Sequence, residues 1–327
     1  MTPPDDTTAP DRLALDAWPE GAPRPNLFLV GAPKCGTTAL ASWLAEREDV
    51  HFCEPKEPFL LADDIPNARA LTLTPDIAAY AALFAGADPA RHRVIGEGST
   101  NYLRSRRAVD NALALSPDAR FVAMLRDPVA IAHAYHMEQR FARNEDEPDF
   151  GRAWALQEAR AEGRSIPEAC HTPDLLQYRW IASIGSQLER LFARVPEDRR
   201  LVLFQEDLKD DPAAVWRRVL AFLGLPDDGR TAFPAVNAAH GHRFETVADL
   251  WLDPPVALRG PVRVLRTAVR RARVPAIDRI KAAMRKPRAR DPIPPELDAR
   301  LRAEFEPEVR KVEALTGREL PAWRGAA

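Results

Sequence analysis

Cysteine is scarce in this chain of 327 residues, and its three cysteines show no pairing pattern. Cys35, Cys53 and Cys170 are odd in number and lack C-x-x-C spacing, which argues against a disulfide framework and against a zinc site. Such usage suits a reducing compartment, so we expect a cytoplasmic protein. Amides near Cys35 would lower the pKa of its thiol, but a reactive thiol there is the less favoured interpretation.

Long hydrophobic runs are also absent. No apolar stretch approaches the roughly 20 residues that span a bilayer, so we expect no transmembrane anchor. Residues 1–25 contain six prolines. They lack both the basic n-region and the apolar h-region of a signal peptide, and we interpret them as a flexible leader. With 46% hydrophobic and 29% charged residues the composition is that of an ordinary globular protein, and we predict a single domain over residues 26–327.

The charge is unevenly distributed. The net charge is −2, yet residues 259–290 contain twelve Lys or Arg and one acid, Asp278. Apolar and basic positions fall on opposite helical faces, which predicts a basic helical segment over 259–290. It is either a solvated helix, a surface for an anionic substrate, or a contact with anionic membrane lipid. Nucleic acid is a poor partner, because the segment lacks interleaved aromatics and the chain as a whole is acidic.

Strand and helix patterns alternate along the chain. This alternation predicts an α/β fold in which a central, mostly parallel sheet is flanked by helices in three layers. Residues 150–194 look helical and free of strands, and a final helix is expected over 294–316. The predicted strands are 27–30, 94–96, 121–125 and 201–204, and the predicted helices between them are 37–47, 105–115, 129–143 and Pro212–Leu223.

The first strand leads into a glycine-bounded loop and a helix start. Gly31 and Gly36 have the spacing of a phosphate-binding loop, in which backbone N–H groups and a helix N-terminus hold phosphate oxygens. An ATPase loop places its lysine directly after the second glycine, whereas Lys34 lies inside this loop. We therefore expect the amides of residues 35–38 to bind a nucleotide 5′-phosphate, with Lys34 near the bond that breaks.

Two further motifs carry candidate chemistry. Arg126 ends a predicted strand, where its guanidinium would grip a second phosphate; alternatively it pairs with Asp127 and only stabilises the turn. Glu57 follows the first helix in a proline-flanked segment, 54–60, and is a candidate general base for a substrate hydroxyl. His51 and His136 are the other candidate bases.

Together these motifs resemble the sulfotransferases that use 3′-phosphoadenosine 5′-phosphosulfate (PAPS), most closely the heparan sulfate sulfotransferase type and its bacterial relatives. The resemblance covers about residues 26–136 and resumes at 201–212 and 286–323. It implies a P-loop-like fold, PAPS as donor, no metal ion, and transfer of a sulfuryl group to a hydroxyl or amine of a carbohydrate, lipid or small molecule. The matching strings are G-A-P-K-C-G-T-T at 31–38, K-E-P-F at 56–59, E-G-S-T-N-Y at 97–102 and L-R-D-P at 125–128.

The resemblance also assigns roles to residues. At Ala134 the family usually has a serine that helps to hold the 3′-phosphate, so we hypothesise that His133 or the basic segment replaces it. By motif position, Lys34 is the catalytic lysine, Cys35, Gly36, Thr37 and Thr38 bind the 5′-phosphate, Glu57 is the general base, Arg126 binds the 3′-phosphate, and Lys286 and Arg288 belong to a basic loop over the cofactor.

Two other functions stay open from the sequence. A P-loop kinase or NTPase shares the glycine spacing but needs a Gly-Lys-Ser/Thr sequence that is missing here. A non-catalytic relative that docks on membranes or polyanions would use the basic segment. Lys34 and Glu57 would then have no catalytic role.

Overall fold

A computed structural model describes residues 13–65, 74–234, 240–242, 285–287 and 291–325, with the backbone alone at 240–242 and 285–287. Its central sheet has five strands in the order β2-β3-β1-β4-β5, and every neighbouring pair is parallel. Helices flank this sheet, which confirms the predicted α/β fold. The strands are β1 (Leu27–Gly31), β2 (Val50–Phe52), β3 (Val94–Gly98), β4 (Arg120–Leu125) and β5 (Arg200–Phe204).

The middle strand, β1, explains why its sequence is an unbroken apolar run. All five of its residues are buried, as expected for a parallel strand covered on both faces. Phe28 stacks on Phe121 of β4 with ring centroids 5.4 Å apart. Because β1 lies between β3 and β4, the segments that leave these three strands meet at one edge of the sheet, where parallel sheets bind ligands.

The helices in the described ranges connect or follow these strands. None of them is long and apolar enough to cross a bilayer. A separate antiparallel pair is formed by β6 (His240–His242) and β7 (Arg285–Pro287). The helices are α1 (Thr37–Ala45), α2 (Ile77–Ala82), α3 (Ala108–Leu115), α4 (Pro128–Phe141), α5 (Phe150–Ala155), α6 (Gln157–Ala161), α7 (Tyr178–Ala182), α8 (Ile184–Arg194), α9 (Gln205–Asp210), α10 (Pro212–Leu223) and α11 (Pro295–Thr316).

Capping residues set the bounds of several helices. α10 has the predicted bounds because Asp211 caps its first turn and Gly224 ends it in the left-handed region. α3 begins at Ala108 and not at the predicted Ser105, because the Ser105 hydroxyl accepts the N–H groups of Arg107 and Ala108 ahead of the first turn. The strands predicted at 27–30, 94–96, 121–125 and 201–204 and the final helix predicted at 294–316 are confirmed.

The basic segment 259–290 is described only in part. Residues 285–287 form β7, so the prediction of helix is wrong at these three residues. Pairing with β6 explains this, since the strand gains ladder hydrogen bonds that a helix would not give it. The other residues of the segment, Arg288 among them, lie outside the described residues.

Contacts group the chain into two compact units. The first draws on Met1–Ala132, Arg179–Val236 and Pro295–Ala327 and contains the five-stranded sheet; the second draws on His133–Tyr178 and Asn237–Pro294. In the second unit Glu145 accepts two hydrogen bonds from Arg160, at 2.6 and 2.7 Å, and a third from Tyr178 at 2.6 Å. The single domain predicted over residues 26–327 stays a prediction.

Within the first unit, α8 and α11 pack at very close range. The Glu308 carboxylate of α11 accepts the backbone N–H and the hydroxyl of Ser186 at 2.7 and 2.6 Å. The residue before Ser186 is Gly185, and a Cβ built there would lie 2.2 Å from the backbone oxygen of Glu308. Only glycine therefore permits this contact between the two helix backbones.

We expect Gly185→Ala to destabilise the protein although alanine is the better helix former. The clash with the α11 backbone should cost roughly 2 kcal/mol or more, which exceeds the gain of about 1 kcal/mol from helix propensity. Equilibrium urea unfolding measures the difference. Gly86→Ala is the control, because its Cβ would meet only the His51 ring at 3.4 Å; equal losses for both variants would contradict the packing argument.

Candidate active site

The loop after β1 is closed by two glycines that other residues could replace only with strain. Gly31 has φ +131° and Gly36 has φ +94°. A Cβ on Gly31 would lie 2.5 Å from the carbonyl oxygen of Thr100, and one on Gly36 would lie 2.9 Å from Cδ2 of Leu208. The loop therefore lies directly on the segment that follows β3, and the start of α1 is fixed there.

The N-terminus of α1 has the features of an anion site. Gly36 is the N-cap residue and no side chain caps the helix, so no side-chain oxygen occupies its first amides. The helix dipole adds positive potential at this point, which suits a phosphate group. Lys34 is half-buried within the loop and has φ +65°. The predicted residues 34–38 thus lie together around one helix end.

Arg126 ties this loop to the end of β4. The residue is 5% exposed, and its guanidinium donates a hydrogen bond to the carbonyl oxygen of Lys34 at 3.2 Å. Burial lowers the pKa of Arg126 from its ordinary value. Asp127 pairs instead with Arg302 at 3.1 Å and accepts the N–H of Val129. The structure therefore shows Arg126 supporting the loop, while its grip on a 3′-phosphate stays a prediction.

Cys35 does not have the environment of a reactive thiol. It is fully buried, and its Sγ lies 3.4 Å from the carbonyl oxygen of Pro33. Burial raises the pKa of the thiol, and the positive charge of Arg126 only partly opposes this. A backbone hydrogen bond at Ala32 lowers the pKa, but loss of hydration outweighs it, so the structure does not support the less favoured interpretation of a reactive thiol.

Glu57 lies in a turn that the end of β3 supports. Its N–H donates to the carbonyl oxygen of Gly98 at 3.0 Å, and its backbone has φ +66°. The carboxylate is partly exposed, with 36% of the side chain accessible, and accepts a hydrogen bond from Lys56 Nζ at 2.7 Å. The Thr100 hydroxyl lies 3.4 Å from the same oxygen. An acid held in this way remains accessible to a substrate.

Lys56 joins the Glu57 turn to the anion site. Its Nζ lies 3.5 Å from the hydroxyl oxygen of Thr37 in the first turn of α1 and 2.7 Å from Glu57. The candidate base is therefore one lysine side chain away from the loop that carries Lys34. Gly98 leaves room for this arrangement, since a Cβ there would lie 3.3 Å from Cε of Lys56. Sequence reasoning assigned Lys56 no role, and its only signal was its place beside Glu57.

Glu97 is a second acid that sequence reasoning missed. It lies in β3 with no exposed surface, and one carboxyl oxygen accepts the Ser99 hydroxyl at 2.5 Å. The other oxygen is buried and has no hydrogen-bond partner among the described residues. Burial raises the pKa of Glu97 to about 8, although Ser99 and Lys56 favour the charged form. Glu97 therefore keeps its proton to a higher pH than an ordinary carboxyl group does.

The remaining candidate residues are placed less completely. His133 is buried in the second unit with its ring 5.1 Å from that of Phe150. The backbone of Lys286 belongs to β7, and Arg288 lies outside the described residues. A role for these three residues at the 3′-phosphate stays a prediction.

The two alternative bases are engaged with backbone groups. The ring of His51 lies 3.1 Å from the carbonyl oxygen of Leu83, and that of His136 lies 2.9 Å from the carbonyl oxygen of Glu147. Burial also lowers the pKa of His136. In the described part of the chain no group of three His, Cys, Asp or Glu side chains is arranged to hold a metal ion.

A five-stranded parallel sheet flanked by helices, with a glycine-bounded loop after its middle strand, defines an α/β protein of P-loop-like fold. Comparison with known proteins specifies the family. A family model described as "Sulfotransferase family" matches residues 25–229. The chain belongs to this family and is a sulfotransferase enzyme. That result confirms the resemblance stated from the sequence motifs.

Individual relatives agree with this assignment. The bifunctional heparan sulfate N-deacetylase/N-sulfotransferase 3 of Homo sapiens is 24% identical over 230 residues, and N-deacetylase/N-sulfotransferase 1 of Xenopus laevis is 27% identical over 203. These matches cover 69% and 62% of this chain but only 24% and 22% of the relatives' lengths. A solved sulfotransferase from Alicyclobacillus acidocaldarius superposes with a TM-score of 0.66 at 25% identity, covering 92% of this chain and 99% of that one.

The buried acid Glu97 predicts a pH-dependent stability. Its pKa is about 8 in the folded protein against 4.5 ordinarily, so between these values the folded state keeps a proton that the unfolded state has lost. Stability attributable to Glu97 is thus present below about pH 4.5 and falls as pH rises towards 8. Glu97→Gln should remove this dependence, so the advantage of the variant should grow by on the order of 1–3 kcal/mol from pH 5 to pH 8.

Urea unfolding of both proteins at several pH values measures this difference directly. Parallel curves of unfolding free energy against pH would show that Glu97 is ionised in the folded protein.

Proposed function

We propose that the protein transfers the sulfuryl group of PAPS to a hydroxyl or amine of an acceptor, with Glu57 as general base and Lys34 at the leaving group. The observation that carries this proposal is the Lys56 bridge. Lys56 Nζ lies 2.7 Å from the Glu57 carboxylate and 3.5 Å from Thr37 at the anion site. A base for the acceptor and a cradle for the donor therefore share one edge of the sheet.

The residues of the loop fit the 5′ end of PAPS. The uncapped start of α1 offers amide donors and the dipole of the helix, and the glycine at 36 permits the left-handed backbone that begins the helix. Lys34, within this loop, would neutralise charge on the oxygen that leaves with the nucleotide. PAPS supplies an activated sulfonate, which makes sulfuryl transfer a loose in-line displacement like phosphoryl transfer.

Glu57 would remove the acceptor proton as the new bond to sulfur forms. A general base has to reach the substrate, and the partly exposed carboxylate of Glu57 does so, whereas Glu97 is completely buried. Lys56 holds the Glu57 carboxylate in one orientation and adds positive charge beside it. Proton removal and charge stabilisation would then come from opposite sides of the transferred group.

A glycan is the acceptor class that we favour. The relatives from Homo sapiens and Xenopus laevis are named for heparan sulfate and for N-sulfation, but the chain spans about a quarter of their length. We therefore propose a carbohydrate amine or hydroxyl first, and a lipid or small-molecule acceptor second. A de-N-sulfated heparan chain is the first probe, because it offers both amines and hydroxyls.

Lys34→Ala tests the leaving-group role. Because Lys34 acts mainly on charge that develops in the transition state, we expect transfer of labelled sulfuryl groups from PAPS to fall on the order of 10²-fold or more. Binding of adenosine 3′,5′-bisphosphate, measured by calorimetry without magnesium, should weaken far less. Lys311→Ala is the control, since Lys311 pairs with Glu189 on α8 and is not part of the site.

A Lys34→Ala protein that keeps most of its activity would remove this role. Tighter binding of ATP with magnesium than of adenosine 3′,5′-bisphosphate would instead favour a kinase or NTPase.

Glu57→Gln tests the base. The amide keeps the size of the side chain but cannot accept the acceptor proton, so we expect turnover to fall by about 10²-fold or more with the fold intact. Steady-state kinetics with PAPS and circular dichroism give the two measurements. Full activity would move the base elsewhere, to His51 or His136, whose Gln variants would be assayed next.

A further inference from the structure

The turn that carries Glu57 has a strained backbone. Glu57 and Phe59 both have positive φ, at +66° and +53°, and neither is a glycine. Such residues are conformationally unfavourable and persist only where the surroundings hold them. Two hydrogen bonds from the end of β3 do so here: Glu57 N–H donates to the Gly98 carbonyl at 3.0 Å, and Phe59 N–H donates to the Ser99 hydroxyl at 3.1 Å.

The second of these bonds depends on the orientation of a hydroxyl. Ser99 has one proton and two lone pairs, and it can accept the Phe59 N–H well only when its proton points elsewhere. That proton is donated to Glu97 Oε1 at 2.5 Å. Both Ser99 and Glu97 have no exposed surface, so water does not compete for either group. The Tyr102 hydroxyl is another side-chain neighbour of Ser99. With its proton on Glu97, Ser99 offers a lone pair to the Phe59 N–H.

Burying a carboxyl group to orient the Ser99 hydroxyl is unfavourable for stability. Glu97 lies in β3 opposite Phe28 of β1, and its Oε2 has no hydrogen-bond partner among the described residues. An apolar side chain at this position would avoid the cost of burying a polar group. Ser99 links Glu97 to the turn that bears the candidate base. A buried polar group that is unfavourable for stability and lies this near the site indicates a role in the reaction.

We propose that Glu97 is a positioning residue, which sets the Glu57 carboxylate against Lys56 through Ser99 and the backbone of Phe59. The inference rests on the proposed role of Glu57 as base. Glu97 itself does not touch the reacting groups, because its side chain is completely buried. Its effect on turnover should thus pass entirely through Glu57.

The test uses variants that differ in their ability to hold Ser99. Glu97→Leu removes the acceptor, and Ser99→Ala removes the hydroxyl; each should lower kcat roughly 10- to 100-fold while KM for PAPS changes less than about 2-fold. Glu97→Gln keeps an acceptor oxygen and should retain kcat within about 3-fold. Ser186→Ala is the matched control, since it removes a serine hydroxyl that donates to a carboxylate, Glu308, between α8 and α11, and its kcat should stay unchanged.

A merely structural role would lower the amount of folded enzyme without this pattern. Two readouts separate the cases. Combined with Glu57→Gln, Glu97→Leu should cause no further loss of kcat, because there is no longer a base to position. Crystal structures of Glu97→Leu and Ser99→Ala should show the contact between Glu57 and Lys56, 2.7 Å in the native protein, broken, and that of Glu97→Gln should show it kept.

An unchanged contact and unchanged kcat in Glu97→Leu and Ser99→Ala would overturn the inference. Full activity of Glu57→Gln would overturn the proposed base instead, and the crystal structures would still decide whether Glu97 positions this turn. If Glu97→Leu does not fold, Ser99→Ala carries the same test, because it breaks the same link with a smaller change.

Discussion

The contact between Gly31 and the carbonyl oxygen of Thr100 is the constraint on which the site depends. A Cβ at Gly31 would lie 2.5 Å from this oxygen, so the loop after β1 lies directly on the segment that follows β3. β3 also ends in the groups that hold the Glu57 turn. One close approach of two backbones thus brings together the anion site at α1 and the candidate base, although 20 residues separate Thr37 from Glu57.

Positive charge around the loop is divided between different tasks. Arg126 is almost completely buried and donates a hydrogen bond to the carbonyl of Lys34. Lys56, by contrast, reaches the surface between Thr37 and Glu57. A buried guanidinium that holds the backbone gives the loop a fixed shape before any ligand arrives. Preorganised groups of this kind stabilise charge without having to move during the reaction. Lys34 can therefore act from a loop whose geometry is already set.

The loop and the candidate base could be singled out from the sequence because each lies in a local motif. Glycine spacing, the threonines after Gly36 and the strand before Gly31 lie in one continuous string, and Glu57 lies in another. β2 was missed because it is only three residues long and contains His51, so it shows no apolar run. The role of Lys56 rests on a contact with Thr37, 19 positions earlier, and no local pattern shows such a contact. The burial of Glu97 follows from the order of the strands, which one sequence does not reveal.

Two buried acids, Glu145 and Glu97, have opposite surroundings, and these distinguish a structural acid from one with another role. In the second unit burial opposes ionisation of Glu145, but hydrogen bonds from Arg160 and Tyr178 outweigh it and lower the pKa of this carboxyl. Every oxygen of Glu145 is thereby satisfied, as expected for an acid that holds a fold together. Glu97 has one satisfied oxygen and a raised pKa, so it stabilises its surroundings poorly. The contribution of Glu97 is therefore better explained by its contact with Ser99, which binds the strained turn of Glu57 at Phe59.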